Sequence, residues 1–312
     1  MPAAHPDASL PIRLRLLGTV PYDDALQRMR DWTTARQTAR TAHRHAPERQ
    51  GALLPHDVHR DWPSLDEAAH ADDEIWLMQH PPVFTLGMNS RPEHLLDAGN
   101  IPVVPTERGG QITYHGPGQI MGYVMLDLRR RRLGIRALVN RLEEGLINCL
   151  RQYGIHAFRQ DGAPGIYVLR VIPTHATSST APASSLPDGH VSPVPGLPHP
   201  VQPAPGKAQS SPSTTRPTCN RSAHRLPARS AQPAPHVAKI ASIGLKTSHG
   251  LSYHGLALNG QMDLSPFQRI EPCGFRNLQM TDMAHQMSPR QDLNLDTLAL
   301  TLGTNLAAAL EG

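Results

Sequence analysis

The feature that most limits how this chain can fold is residues 172–236. The stretch holds nearly half of the chain's 31 prolines, is rich in Ser, Ala and Thr, and contains no Phe, Tyr or Trp. Such a segment cannot bury enough apolar surface to offset the entropy lost on ordering it, which predicts disorder. Strand-like sequence stands on both sides of it, at Ala163–Leu169 and at Lys239–Gly244. It therefore reads as an insertion inside one domain and not as a linker between two. A second thin region, about 37–66, is rich in Ala, His, Arg and Pro with little periodicity, and reads as a loop or insertion. The expectation is one domain across residues 1–312, interrupted at these two places.

The rest of the chain alternates strand and helix signals. Ile12–Leu17 alternates apolar and basic residues, as a half-buried strand does. Pro21–Asp24 opens a helix running to about Arg36, with proline and acidic residues in its first turn. Asp73–Met78 and Pro82–Gly87 read as two strands around a turn at His80-Pro81-Pro82, and Ile101–Val104 as a short third. Ile120–Leu128 is nearly all apolar, the pattern of a strand buried on both faces. Ile135–Tyr153 places Leu138, Leu142, Leu146 and Cys149 on one helical face, with Gly154 as the terminator. Leu251–Asn259 reads as a strand and Asn294–Leu310 as a closing helix. Hairpin-like pairs among irregularly alternating elements favour an α/β (α+β) fold with a mixed sheet over a doubly wound parallel one.

Bulk charge is only mildly basic, +4 at neutral pH with pI ≈ 9.2. That favours an acidic partner by steering but is too weak to imply nucleic acid, and no basic stripe alternates with aromatics. The densest basic run, Arg129–Arg132, reads as a solvated strand end or turn in preference to a docking patch. No basic-then-apolar leader opens the chain and no apolar window spans a membrane, so the expectation is a soluble, cytoplasmic protein. Three scattered cysteines form neither a disulfide framework nor a CxxC pair. With no HExxH and no paired carboxylates, the sequence implies no metal and no cofactor.

Chemistry concentrates in a few places. Glu107–Gln119 packs four glycines with Arg108, Thr113, Tyr114 and His115, and its Gly-Gly and Gly-Pro-Gly turns bend the backbone at both ends, as a ligand-binding loop requires. Cys149 sits on an apolar helix face and Cys219 in the proline-rich insertion. Cys273, between Pro272 and Gly274, has an exposed backbone suited to an oxyanion, although a cysteine in that setting is more commonly structural. A thiol needs activation, and the chain has only three lysines: Lys207, Lys239 and Lys246. Lys239 heads an apolar strand and suits a titratable role and a plain strand-edge charge equally, whereas Lys246 falls past the strand's end. His115 and His254, each before a glycine, are alternative partners for a cysteine.

Arg108–Gln119, Lys239–Gly244, His254–Asn259 and Pro272-Cys-Gly274 occur in the order found in the lipoyl(octanoyl) transferases. Asp73–Leu77 and Met262–Phe267 also resemble that family. The resemblance covers the chain outside its two low-complexity regions. It implies a mixed sheet flanked by helices, like the catalytic domains of biotin protein ligases and lipoate ligases. It also implies ping-pong transfer of an octanoyl or lipoyl group from acyl carrier protein to a lysine of lipoyl domains. Those acceptors are the E2 subunits of 2-oxoacid dehydrogenases and the glycine cleavage H protein. Matching positions make Cys273 the thioester-forming nucleophile and Lys239 the group that lowers its pKa. Substrate contacts fall on Arg108, Gly109, Gly110, Gln111, Ile112, Thr113, Tyr114 and His115, on Ser242, Ile243 and Gly244, and on Gly255, Leu256 and Ala257. The insertion at 172–236 departs from the family pattern, in which the preceding strand leads almost directly into the lysine strand. Two other readings compete: an ATP-dependent lipoate or biotin ligase on the same fold, and a non-enzymatic nucleic-acid binder.

Overall fold

Ile12, Leu14 and Leu16 alternate with Arg13 and Arg15 along the first strand, and all three apolar side chains are buried. A computed structural model of the chain describes residues 11–42, 58–68, 72–170, 236–272, 278–287 and 292–312, and these fall in one compact unit. The predicted insertion up to residue 235, with Lys207 and Cys219, lies outside the described residues, as does Cys273.

In chain order the elements begin with β1 (Ile12–Thr19), α1 (Tyr22–Ala42), β2 (Val58–His59), α2 (Leu65–Ala68), β3 (Asp73–Gln79) and β4 (Val83–Leu86). Next come β5 (Val103–Pro105), β6 (Thr113–His115), β7 (Gln119–Met125), α3 (Ile135–Gln152), β8 (Ala157–Arg159) and β9 (Ile166–Leu169). The chain ends with β10 (Val237–Ser248), β11 (Leu251–Asn259), β12 (Gln279–Met280), α4 (Met283–Gln286) and α5 (Leu295–Glu311). Among the described residues the main sheet runs β2-β1-β3-β7-β11-β10-β9-β8, with β12 pairing β10. Its β1–β2, β1–β3 and β10–β12 pairs are parallel and the others antiparallel, so the sheet is mixed as expected. A small second sheet runs β5-β4-β6.

Both faces of the central strands are covered. On one, Ile120 and Val124 of β7 and Leu256 and Leu258 of β11 pack under α3 and α5, whose Leu138, Leu142, Leu146, Leu302 and Leu306 are fully buried. Each such leucine contributes about 1.5–3 kcal/mol by leaving water. On the other face, Met121, Tyr123 and Ala257 meet Trp32 and Met29 of α1. Gly154, at φ +72, ends α3 in the left-handed conformation that residue allows. Asn294 caps α5 by accepting from the Thr297 amide at 2.9 Å.

Four sequence expectations are revised. Helix α1 continues beyond Arg36 to Ala42, because Arg36 bonds the Met125 carbonyl and the Asp73 carboxylate and Arg40 pairs with Asp127. The thin region 37–66 therefore carries the end of α1, β2 and the start of α2. The runs around His80-Pro81-Pro82 are two strands around a turn as expected, with β3 in the main sheet and β4 in the small one. Prolines 81 and 82 supply no amide to extend a ladder, and His80 is pinned by bonds to the Val20 carbonyl and the Tyr123 hydroxyl, each 2.6 Å. The Arg129–Arg132 run is only partly solvated. Arg130 and Arg131 turn back to the buried Asp73. Burial pushes that carboxyl's pKa up, but Arg36, Arg131 and Arg130 outweigh it and hold it below the ordinary range. Lys246 lies within β10 and not past its end.

Candidate active site

β9 and β10 pair antiparallel with Lys239 opposite Tyr167, and this register builds one end of the site. Lys239 is 2% exposed, lies 5.4 Å from the centre of the Tyr167 ring, and donates to the Pro164 carbonyl at 2.8 Å. Its stem lies over Gly165, where an added Cβ would stand 2.6 Å from Lys239 Cε and 2.5 Å from the Ala241 carbonyl oxygen. Gly165 also has φ +123, a conformation closed to side-chain-bearing residues. The lysine is thus packed among an aromatic face, a carbonyl and a bare backbone, with Gly162 and Pro164 exposed at the rim.

The Glu107–Gln119 segment forms the opposite wall. It bends at Gly110 (φ +84) and Gly118 (φ +87) as its glycines predicted, but it contributes strand β6 between them. The Gly109 amide donates to the Leu245 carbonyl at 2.8 Å, which lays the loop across β10. Arg108 is buried as a brace: its Nε and a terminal nitrogen donate to Thr85 Oγ1, and it also reaches the Thr85 and Gly109 carbonyls. Because Thr85 Oγ1 accepts from the guanidinium, its own hydrogen goes to His115 Nε2 at 3.1 Å. His115 Nδ1 then donates to Gln119 Oε1 at 2.7 Å, and Gln119 donates in turn to Asn259 at 2.9 Å. The network fixes one imidazole tautomer. Burial, with Arg108 nearby, pushes the His115 pKa well below its ordinary value, so the ring is neutral.

Between the two ends lies a cavity of about 370 Å³. Lys239, Arg108, Gly110, Gln111, Ile112, Thr113 and His115 line it, as do Ser242, Ile243, Gly244, Gly255, Leu256 and Ala257. Two residues of the predicted set stand elsewhere. Gly109 is not on the cavity wall, and Tyr114 points the other way from Thr113 and His115, packing against Phe84 and Phe267. The period-two alternation of β6 accounts for this. Cys149 is fully buried in the core, and burial raises its thiol to about 12, which leaves it inert. The sequence reading missed Tyr22, Met121, Tyr123, Pro164 and Tyr167, all on the wall. A signal existed only for Tyr167, a tyrosine within an apolar strand directly after Ala163-Pro164-Gly165. Among the described residues no cluster of three or more His, Cys, Asp or Glu is arranged to hold a metal, and no helix is long and apolar enough to cross a membrane.

Residues 64–306 match the family model of the lipoyl protein ligase A/B catalytic domain. The chain belongs to this family. Within the lipoyl protein ligase A/B family it is similar to an octanoyltransferase of Burkholderia pseudomallei, 36% identical over 99% of this chain and 87% of that protein. It is likewise similar to an octanoyltransferase of Pseudomonas entomophila, 35% identical over 96% of this chain and 92% of that protein. In fold it resembles a bipartite lipoate protein ligase of Thermoplasma acidophilum, with TM-score 0.51, 12% identity, and 96% of this chain and 84% of that one covered.

Proposed function

We propose that the protein is an octanoyltransferase that moves an octanoyl or lipoyl group from acyl carrier protein to a lysine of lipoyl domains, through a thioester on Cys273. The observation carrying this reading is the setting of Lys239, a buried lysine on the wall of a slot whose opposite wall is the glycine loop. Near-full relatives that bear the octanoyltransferase name support it. The described chain leaves at Pro272 and returns at Leu278, which packs with Tyr167, the ring beside Lys239. Met280 then pairs with Lys239 in register. Cys273 lies between these two points in the sequence.

In the proposed cycle, Lys239 accepts the Cys273 thiol proton and the thiolate attacks the carrier-bound thioester carbonyl. The tetrahedral intermediate collapses by expelling the carrier thiolate, which takes the proton back from Lys239. The free amine of the acceptor lysine then attacks the Cys273 thioester and gives one proton to Lys239, the amide forms as the cysteine thiolate leaves, and that thiolate recovers the proton from Lys239. Exchange between thioesters is nearly balanced in energy and the amide is downhill, so no ATP is consumed. The middle of the slot, with Met121 and Ala257, suits an alkyl chain.

Incubation with octanoyl-carrier protein, without ATP, should add one octanoyl mass to the intact protein. Cys273→Ala should remove the adduct, and an adduct that survives this change would reject the nucleophile. Lys239→Met should shift the pH dependence of Cys273 alkylation upward. Formation of the amide only when ATP and free acid are supplied would favour a ligase instead.

A further inference from the structure

Glu143 is a charged side chain on the packed face of an amphipathic helix. It shares the buried face of α3 with Leu138, Leu142, Leu146 and Cys149, and is itself 7% exposed. A carboxylate in such a place is costly unless it is paired and hydrogen-bonded. Its two oxygens go to different partners. Oε2 accepts from Arg159 Nε on β8 at 3.1 Å, and Oε1 accepts from the Gly165 amide at 3.4 Å. The Arg159 side chain is 42% exposed, and it also donates to Glu144 at 2.8 Å and to the Asn140 carbonyl. A half-exposed pair of that kind ties a helix to a strand, contributes little, and has no need of a second, buried oxygen. The bond to Gly165 sets Glu143 apart.

The Gly165 amide belongs to the same peptide unit as the Pro164 carbonyl, which accepts from Lys239 Nζ at 2.8 Å. A trans peptide is planar, with its N–H and C=O directed to opposite sides. One unit therefore has a buried carboxylate at one end and the lysine at the other. Gly165 has φ +123, and a glycine lets such a unit turn at little cost, so the local backbone alone does not fix it. An anchor on the N–H also sets where the C=O points. Hydrogen bonds in series polarise one another, so a negative charge at the N–H makes the carbonyl oxygen a stronger acceptor. We infer that Glu143 is a positioning residue for Lys239. It acts through the Pro164–Gly165 peptide, aiming the carbonyl at the amine and favouring its ammonium form. Glu143 itself stands behind the wall and does not line the slot. Arg159 of β8 and Glu144 of α3 are the charges beside the carboxylate, and the Tyr167 ring of β9 faces the amine. The consequence for catalysis rests on the acyl-transfer reading: a better-held ammonium keeps the Cys273 thiolate formed.

The chain has only three lysines, so lysine labelled with carbon-13 at Cε gives three NMR signals, and Lys239→Met identifies one of them. In Glu143→Gln, an isostere without the charge, the midpoint of the Lys239 titration should fall by about 0.5–1 pH unit. An unchanged midpoint in the folded variant overturns the inference. Arg159→Gln breaks the ion pair but leaves the carboxylate on the Gly165 amide, so the midpoint should hold or rise. A fall equal to that in Glu143→Gln would reduce Glu143 to a structural tie and reject the positioning role. Should Glu143→Gln fail to fold, the wild type decides: the Gly165 amide proton should follow the Lys239 titration with the same midpoint, and a silent amide overturns the inference. Acylation by octanoyl-carrier protein separates this contact from the reading it serves. Its pH profile should move upward in Glu143→Gln. A lowered amine midpoint with an unmoved profile would reject the part of Lys239 in transfer and leave the contact standing.

Discussion

At the scale of single residues, the position of Lys239 depends on a side chain that is missing. Gly165→Ala would force a Cβ to within 2.6 Å of Lys239 Cε and 2.5 Å of the Ala241 oxygen, at a φ of +123. Backbone strain of this kind costs about 1–3 kcal/mol, so the melting temperature should fall. The lysine must also shift, so the acylation rate should drop at least tenfold while the KM for the acceptor domain stays constant. Wild-type acylation by a folded Gly165→Ala would remove this glycine from the positioning of the amine. Lys239 itself stood out in the sequence because the chain has only three lysines and one of them heads an apolar strand. The groups that hold it were not legible. Pro164 and Tyr167 reach it only through the β9–β10 register, and residues 171–235 separate those strands in sequence. His254 was visible as one histidine among 18, but its left-handed backbone and unpaired nitrogens are properties of the fold alone.

At the scale of elements, helix α1 and the glycine loop are joined by one clasp. Arg30 donates twice to the Glu107 carboxylate at 2.8 Å, and the Tyr253 hydroxyl donates to the same group at 3.2 Å. The Arg30 hydrogen bond lowers the Glu107 pKa from its ordinary 4.5 to about 2. A lowered carboxylate pKa stabilises the fold above the unfolded value, and that contribution is lost as pH falls through the folded value. Arg30→Ala should therefore melt slightly below wild type near neutral pH. The gap should close as pH drops from 4.5 towards 2, and a gap that held constant would show the clasp to be inert. Because the pair is largely exposed, its contribution is only about 0.2–1 kcal/mol. Periodicity made α3 and α5 legible, since each buries one leucine face against the sheet. It missed the last turns of α1, which Arg36 and Arg40 anchor to β3, β7 and the segment after β7. Nor could it assign β4 to its own sheet, because alternation reports which face is buried and not which strand lies alongside.

At the scale of the whole molecule, the proline-rich segment is closed off by the sheet itself. Leu169 and Val237 are register partners, and the Arg170 amide donates to the His236 carbonyl at 2.9 Å. The chain ends flanking residues 171–235 are therefore hydrogen-bonded neighbours, in the geometry a short turn between antiparallel strands requires. This explains why strand signals resume so abruptly in the sequence, and why the lysine strand finds its partner across the intervening length. Closure entropy grows by about 0.6 kcal/mol for each doubling of loop length. Replacing 171–235 with a turn of about four residues removes roughly four doublings, or about 2 kcal/mol of opposition to folding. The shortened protein should melt roughly 5 °C higher and should transfer octanoyl groups within about twofold of wild type. Thermal denaturation and the ATP-free acylation assay on the same sample check both parts. Unchanged stability would mean that the segment contributes contacts offsetting its closure entropy. A folded, acylation-competent deletion that no longer passes its acyl group to lipoyl domains would assign the segment to acceptor recognition, and the slot, the lysine and the loop would then be only half of the transferase.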